Sequence, residues 1–383
     1  MKKLNKLFAI LVAMAMVLSL GVISAFAEGA PTADHAYITK NFQMPEGTTN
    51  PGDTFKFTIL ADKVNGDSTA VDLYDADHPL EVSMAGVQGT TDANGVTTYT
   101  KQIKNAFDNV PTKAGKYVYT VREVDEKASK DVEGQKTYTY SPDFYTVIAY
   151  READGSLKFT AQKNTTDGSG KVPAQTDGET TYVDCAFLNK YVETKKVTPD
   201  GKEDDTNDKK GFEIQKKVDG AQADTDLDFT FNVTIDAPAI SAQTGTPKYS
   251  YTIYTLGADG ANGTPGATGT ITANGEAQEI KLHHNQRAVF TDLEVGAKVA
   301  VTEPEVADWT TALNGTEGTR ALAQTPVTTD SNIAANYVNT YTKGDSTPEG
   351  ILISNLPYIA LALVAIGGLV AYVVVRRRNA DEA

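Results

Sequence analysis

Apolar and polar residues alternate in short runs along most of the chain. Ala36-Tyr-Ile-Thr-Lys-Asn-Phe42, Tyr117-Val-Tyr-Thr-Val-Arg-Glu123 and Phe212-Glu-Ile-Gln-Lys-Lys-Val218 are examples. A period of two places every second side chain on one face of a strand. Turn-forming pairs recur between these runs, at Pro51-Gly52, Asn94-Gly95, Ala114-Gly115, Asp154-Gly155 and Val295-Gly296. Long amphipathic helical patterns are absent. The pattern predicts an all-β protein of sandwiches or partly open barrels. Phe144–Tyr150 and Leu157–Ala161 flank Ala153-Asp-Gly155 as one expected hairpin.

A polar stretch, residues 194–210, breaks the alternation. It holds Pro199-Asp-Gly201 and Asp204-Asp-Thr-Asn-Asp208 and reads as a linker. The expected plan is a first β-sandwich over 28–193 and a second over 211–343. Residues 164–179, rich in Gly, Thr and Asp, form an extra excursion before the last strand of the first domain.

Three polar residues interrupt the apolar faces in the same order in each half. Lys40 shares a face with Ala36, Ile38 and Phe42, and Lys216 with Phe212, Ile214 and Val218. Glu123 and Glu303 end alternating runs 83 and 87 residues later, and Asn189 and Asn339 lie in the last runs. Unpaired charges on core-facing positions are costly, so the three residues of each half are expected to meet. Two readings fit. One is a buried Lys–Glu ion pair capped by Asn, which need not stabilise the fold. In the other, desolvation lowers the lysine pKa and raises that of the glutamate. A neutral amine then attacks the carboxamide while the carboxyl moves protons, giving a Lys–Asn isopeptide bond. Lys217, the rival of Lys216, falls on the opposite face.

The two ends are addresses. Lys2, Lys3 and Lys6, the apolar run Leu7–Val22 and Ala25-Phe-Ala27 predict a secretory signal peptide over residues 1–27. Residues 351–375 are long and apolar enough for a transmembrane helix, and Arg376-Arg-Arg378 follows it. The intervening part is expected outside the cell. The net charge is −15, and it becomes −19 once the signal and the tail from Gly350 are set aside. That balance argues against nucleic acid as a partner. Cys185 is the only cysteine, so no internal disulfide forms. His35, His78, His283 and His284 show no metal spacing, and His283-His284 reads as a hairpin turn. No metal, cofactor or turnover-enzyme constellation is expected.

These features together resemble the sortase-assembled backbone pilins of Gram-positive bacteria. The residues that carry the resemblance are Ile38-Thr-Lys40, Tyr117–Glu123, Tyr145-Thr-Val147 and Phe187-Leu-Asn189 in the first half. In the second they are Ile214–Val218, Asp292–Glu303 and Tyr337-Val-Asn339. The resemblance implies two tandem Ig-like or Cna-B-like sandwiches between a signal peptide and a cell-wall sorting signal over 346–383. It implies self-formed, single-turnover cross-links Lys40–Asn189 and Lys216–Asn339, assisted by Glu123 and Glu303, with no cofactor. A sortase would cut Ser346-Thr-Pro-Glu-Gly350 between Glu349 and Gly350, although the family usually has Thr before this Gly. The new carboxyl end would join a lysine of the next identical subunit, for which Lys171 is the first candidate and Lys190, Lys195 and Lys196 are rivals. The implied partners are sortase, identical subunits, and other pilins or peptidoglycan at the fibre base, with a host-surface ligand as a further class. The alternative reading is a wall-anchored adhesin or minor pilin that uses the same domains as a stalk.

Overall fold

The computed structural model describes residues 33–66, 69–130, 135–165, 168–196, 211–258, 260, 262–330 and 332–342. The expected signal peptide, the sorting motif with Glu349 and Gly350, the membrane span and the Arg cluster lie outside these residues. Within them, no helix is long and apolar enough to cross a membrane.

The described chain is almost entirely β. The first half contains β1 (His35–Pro45), β2 (Thr54–Ala61), β3 (Leu80–Ser83), β4 (Gly89–Thr91), β5 (Val96–Ile103) and β6 (Gly115–Glu123). It continues with a one-turn helix (Lys127–Lys130), β7 (Lys136–Thr139), β8 (Phe144–Arg151), β9 (Leu157–Thr165), β10 (Gly168–Val172), β11 (Gln175–Asp177) and β12 (Thr180–Lys196). The second half contains β13 (Phe212–Asp219), β14 (Phe229–Asp236), β15 (Lys248–Leu256), β16 (Asn262–Thr272), β17 (Gln278–Leu282) and β18 (Gln286–Phe290). It ends with β19 (Asp292–Glu294), β20 (Lys298–Thr302), β21 (Trp309–Leu313), β22 (Thr316–Glu317), β23 (Ala321–Pro326) and β24 (Ile333–Tyr341).

Each half builds two facing sheets around its own core. One sheet of the first half runs β11-β12-β1-β5-β4, and the other runs β10-β9-β8-β6-β2-β3. Their inner faces meet through Phe42 against Phe55 and Phe57 against Phe187, with ring centroids 5.0 Å apart in both pairs. The second half places β16-β15-β18-β13-β24-β21-β22 against β17-β14-β20-β23. Its core includes Phe212, Ile214, Phe229, Phe231, Phe290 and Tyr337. In both halves the first strand pairs with the last in parallel, β1 with β12 and β13 with β24. This closure requires the long connections between them and leaves the chain's entry and exit at opposite ends of each core.

The β8–β9 hairpin forms as expected, with Gly155 at φ 88° in its turn. His283 and His284 differ from expectation. They form a turn, but β17 and β18 belong to different sheets, so it is a crossing between layers and not a hairpin. The His284 ring is used there, its Nδ1 accepting the Val218 N–H at 2.9 Å. Most of the described residues of the 164–179 excursion are sheet. β10 pairs back on β9 and β11 on β12, because edge pairing uses main-chain groups and needs no apolar side chains.

β12 also shows where the expected linker begins. Its 17 residues pair successively with β1, β7 and β19. Thr194–Lys196 pair with Asp292–Glu294 in the second half, so the start of the 194–210 stretch is sheet, and residues 197–210 lie outside the described residues. The junction is built from both sides. Val295 N–H donates to the Glu193 carbonyl at 2.8 Å, and Thr329 N–H to the Gly47 carbonyl at 3.0 Å. Lys195 Nζ donates to Glu193 Oε1 at 2.8 Å and to the Thr329 carbonyl.

Gly296 lies at the closest approach, with φ 91°, where a Cβ would stand 2.4 Å from Pro45 Cβ. Gly296→Val is therefore expected to introduce about 2 kcal/mol or more of strain and to open the junction. Small-angle scattering should show a broader distance distribution than wild type. An unchanged scattering profile would mean that the junction tolerates the side chain.

Candidate functional site

The parallel closure of each half creates its polar site. Lys40 on β1 faces Phe187 on β12, so Asn189, two residues on, lies on the same inner face. Lys216 on β13 faces Tyr337 on β24, and Asn339 is again two residues on. The glutamates come from the opposing sheets, Glu123 at the end of β6 and Glu303 just after β20. Alternation fixes which side chains point inward, whereas pairing register fixes their height.

Both expected triplets come together. Lys40 Nζ donates to Glu123 Oε1 at 2.7 Å, and Asn189 Nδ2 donates to the same oxygen at 2.7 Å. Lys216 Nζ donates to Glu303 Oε1 at 2.6 Å, and Asn339 Nδ2 to that oxygen at 2.7 Å. Lys40, Lys216, Asn189 and Asn339 are all 0% exposed. One carboxylate oxygen thus touches the lysine nitrogen and the carboxamide nitrogen in each half.

Burial sets the electrostatics. Loss of water lowers the Lys40 and Lys216 pKa values to about 8, against the opposing pull of the paired glutamates. The same loss raises Glu123 and Glu303, again against the pull of their lysines. The shifts favour transfer of the proton from ammonium to carboxylate, leaving a neutral amine beside a carboxylic acid. Among the described residues, the second oxygen, Oε2, of each glutamate is buried without a hydrogen-bond partner, as is Asn339 Oδ1. A protonated carboxyl carries one O–H donor.

Aromatic rings wall the amines. Lys40 Nζ lies 4.4 Å from the Phe55 ring centroid and Lys216 Nζ 3.7 Å from that of Phe229. Phe55-Lys-Phe57 and Phe229-Thr-Phe231 form a second repeated pattern, which the sequence reading passed over. In each, the second Phe packs on the ring two residues before the Asn, at 5.0 Å for Phe57–Phe187 and 4.9 Å for Phe231–Tyr337. A search for inward aromatics repeated after each lysine strand would have found it.

The remaining candidates separate by exposure. Lys171 is exposed on edge strand β10, and Lys190 is exposed on β12. Lys195 is 9% exposed and held inside the junction, which removes it from the accessible lysines. Lys196 pairs with Asp292 through its backbone. Lys217 is exposed beside Asp219, as alternation requires. Cys185 is fully buried, with its thiol pKa pushed well up by loss of water, so it packs as an apolar side chain. Among the described residues, no cluster of His, Cys, Asp and Glu could hold a metal ion.

A domain of unknown function (DUF7601) matches residues 210–341. No curated protein matches the chain. Over 82% of its length the chain is similar in structure to the major pilins of Streptococcus pyogenes. One such pilin is 19% identical, with a TM-score of 0.33, and is covered over 100% of its own chain. The major pilin T3.2 of the same organism is 14% identical, with a TM-score of 0.30 and the same coverages. The pilus-presented adhesin Cpa is 10% identical with a TM-score of 0.28, covering 79% of this chain and 99% of its own.

Proposed function

We propose that the chain is a structural subunit, a backbone pilin, of a covalently polymerised surface pilus on a Gram-positive bacterium. Each half is held by a self-formed Lys–Asn isopeptide bond. The observation that carries this reading is the single glutamate oxygen bonded to both reacting nitrogens, at 2.6–2.7 Å, in two separate cores.

The chemistry follows from that arrangement. The glutamate takes the ammonium proton, and the freed amine adds to the carboxamide carbon. The same carboxyl then passes that proton to the carboxamide nitrogen, which leaves as ammonia, and takes the second amine proton from the new amide nitrogen, so it ends protonated. The products are an amide and ammonia, formed once, with no cofactor. Folding alone holds the partners, and such positioning is worth up to about 7–11 kcal/mol of barrier. The bond would join the first and last strands of each core, so tension along the chain would pass through covalent bonds and not through ladder hydrogen bonds.

The rest of the assembly is proposed from the sequence. Residues 1–27 direct export, 28–193 and 211–343 are the two pilin domains, and 346–383 are the sorting signal with transient membrane retention. Sortase cuts before Gly350 and joins Glu349 to Lys171 of the next subunit, and the finished fibre stands on the cell wall.

Two measurements test the reading. The intact mass of residues 28–349 is expected to fall short by two ammonias, about 17 Da each. Cell-surface extracts are expected to show a ladder of covalent multimers that collapses to monomer in Lys171→Arg. A full-length mass without deficit would remove the isopeptide reading, and a ladder unaffected by the substitution would remove Lys171 as acceptor.

A further inference from the structure

The two sites differ in what covers the carboxamide. In the first half a long connection runs from Glu123 to β8 and includes the short helix and β7. In the second half only residues 304–308 separate Glu303 from β21. β7 pairs with β12 between Lys190–Glu193 and Lys136–Thr139, immediately beyond Asn189. The chain leaving β7 is thereby returned to the site. Ser141 backbone N–H donates to Asn189 Oδ1 at 2.9 Å. Asn339 Oδ1 is buried and receives no donor among the described residues.

Asn189 Oδ1 is the atom on which negative charge grows when an amine adds to the carboxamide carbon. A fixed backbone N–H aimed at such an oxygen stabilises the charged intermediate without reorganisation. We infer that the Ser141 N–H is an oxyanion donor for cross-linking in the first half, a catalytic group with no equivalent in the second among the described residues.

The inference rests on the proposed isopeptide chemistry and balances within it. Lys40 Nζ bonds to Asn189 Cγ while the carbonyl electron pair moves onto Oδ1, where the Ser141 N–H meets it. The pair returns as the Cγ–Nδ2 bond breaks. Glu123, bonded to both nitrogens, carries the amine proton to Nδ2, and ammonia leaves. At Asn339 no backbone N–H among the described residues meets the oxygen.

The test is the rate of ammonia loss in each half. Protein made in insoluble form is dissolved in denaturant, refolded by dilution and quenched at intervals. Peptide masses then report the two cross-links separately. Ser141→Pro removes the N–H. Ser141 already precedes Pro142, which holds it in the extended region where a proline φ is tolerated. The variant is expected to slow the Lys40–Asn189 reaction by about 100-fold while the Lys216–Asn339 reaction in the same molecule keeps its rate. Should Ser141→Pro fail to fold, an ester in place of the Tyr140–Ser141 peptide bond replaces the N–H with oxygen and should give the same selective slowing. Equal first-half rates in wild type and a folded variant would overturn the inference and leave the isopeptide reading intact. Absence of ammonia loss from both halves of wild type would overturn both.

Discussion

Glu303→Gln should leave the second half of the protein uncross-linked while the first half reacts normally, and Glu123→Gln should do the reverse. The glutamine keeps the shape of the side chain but cannot take a proton from Lys216, whose nitrogen lies 2.6 Å from the carboxylate oxygen. Loss of an acid–base group costs on the order of 10²–10⁴ in rate. The missing bond also releases a closed loop of more than 100 residues, which by analogy with disulfides is worth about 5 kcal/mol. A buried lysine would remain without its counter-ion, a situation that costs about 3–5 kcal/mol unless the amine is neutral. Thermal unfolding of the altered half should therefore fall by 10 °C or more, at about 2–4 °C per kcal/mol. The mass deficit should drop from two ammonias to one. If Glu303→Gln lost both ammonias at the wild-type rate, the carboxyl would not be the proton carrier.

The rate of cross-linking should form a plateau in pH with an upper limb near 8. The reactive form, neutral amine beside carboxylic acid, holds the same number of protons as the ion pair, so the two exchange without taking up or releasing a proton. The pair titrates as a unit. Above about 8, the value to which burial lowers Lys40 and Lys216, the pair loses its last shared proton and the glutamate has none to give. In acid the pair gains a second proton and the amine is locked as ammonium. Refolding at a series of pH values, with the bond counted by mass, gives this profile. A rate that rises steadily past pH 10 would mean that amine deprotonation alone limits the reaction.

The same lysine shift makes stability depend on pH. Asn339→Ala keeps Lys216 and Glu303 unreacted. Because the lysine pKa is lower folded than unfolded, the folded state binds fewer protons between about 8 and the ordinary lysine range. Stability of this variant should therefore rise with pH across that window. The cross-linked protein has no free amine at this position and should lack that rise.

The triplets were legible in the sequence for a simple reason. Alternation assigns each residue of a strand to a face, so Lys40, Lys216, Asn189 and Asn339 could be placed inward without knowing their neighbours. The cost of a lone buried charge then required that they meet. The same reasoning set Lys217 aside correctly and marked the β8–β9 hairpin. It could not place Lys195. A lysine in a polar stretch reads as solvated, and only the pairing of Thr194–Lys196 with β19 buries it.

Local alternation therefore determined the all-β class, the faces, and the identity of the two polar triplets. Tertiary structure decided the parallel closure of first and last strands, which gives the same two-residue offset at both sites. It decided that one carboxylate oxygen lies between the two nitrogens, and that a Ser141 backbone N–H reaches Asn189 while Asn339 has no such donor among the described residues. Those features depend on pairing register and on main-chain groups. Every residue carries the same N–H, so no side-chain pattern can announce which one will be aimed at a reacting atom.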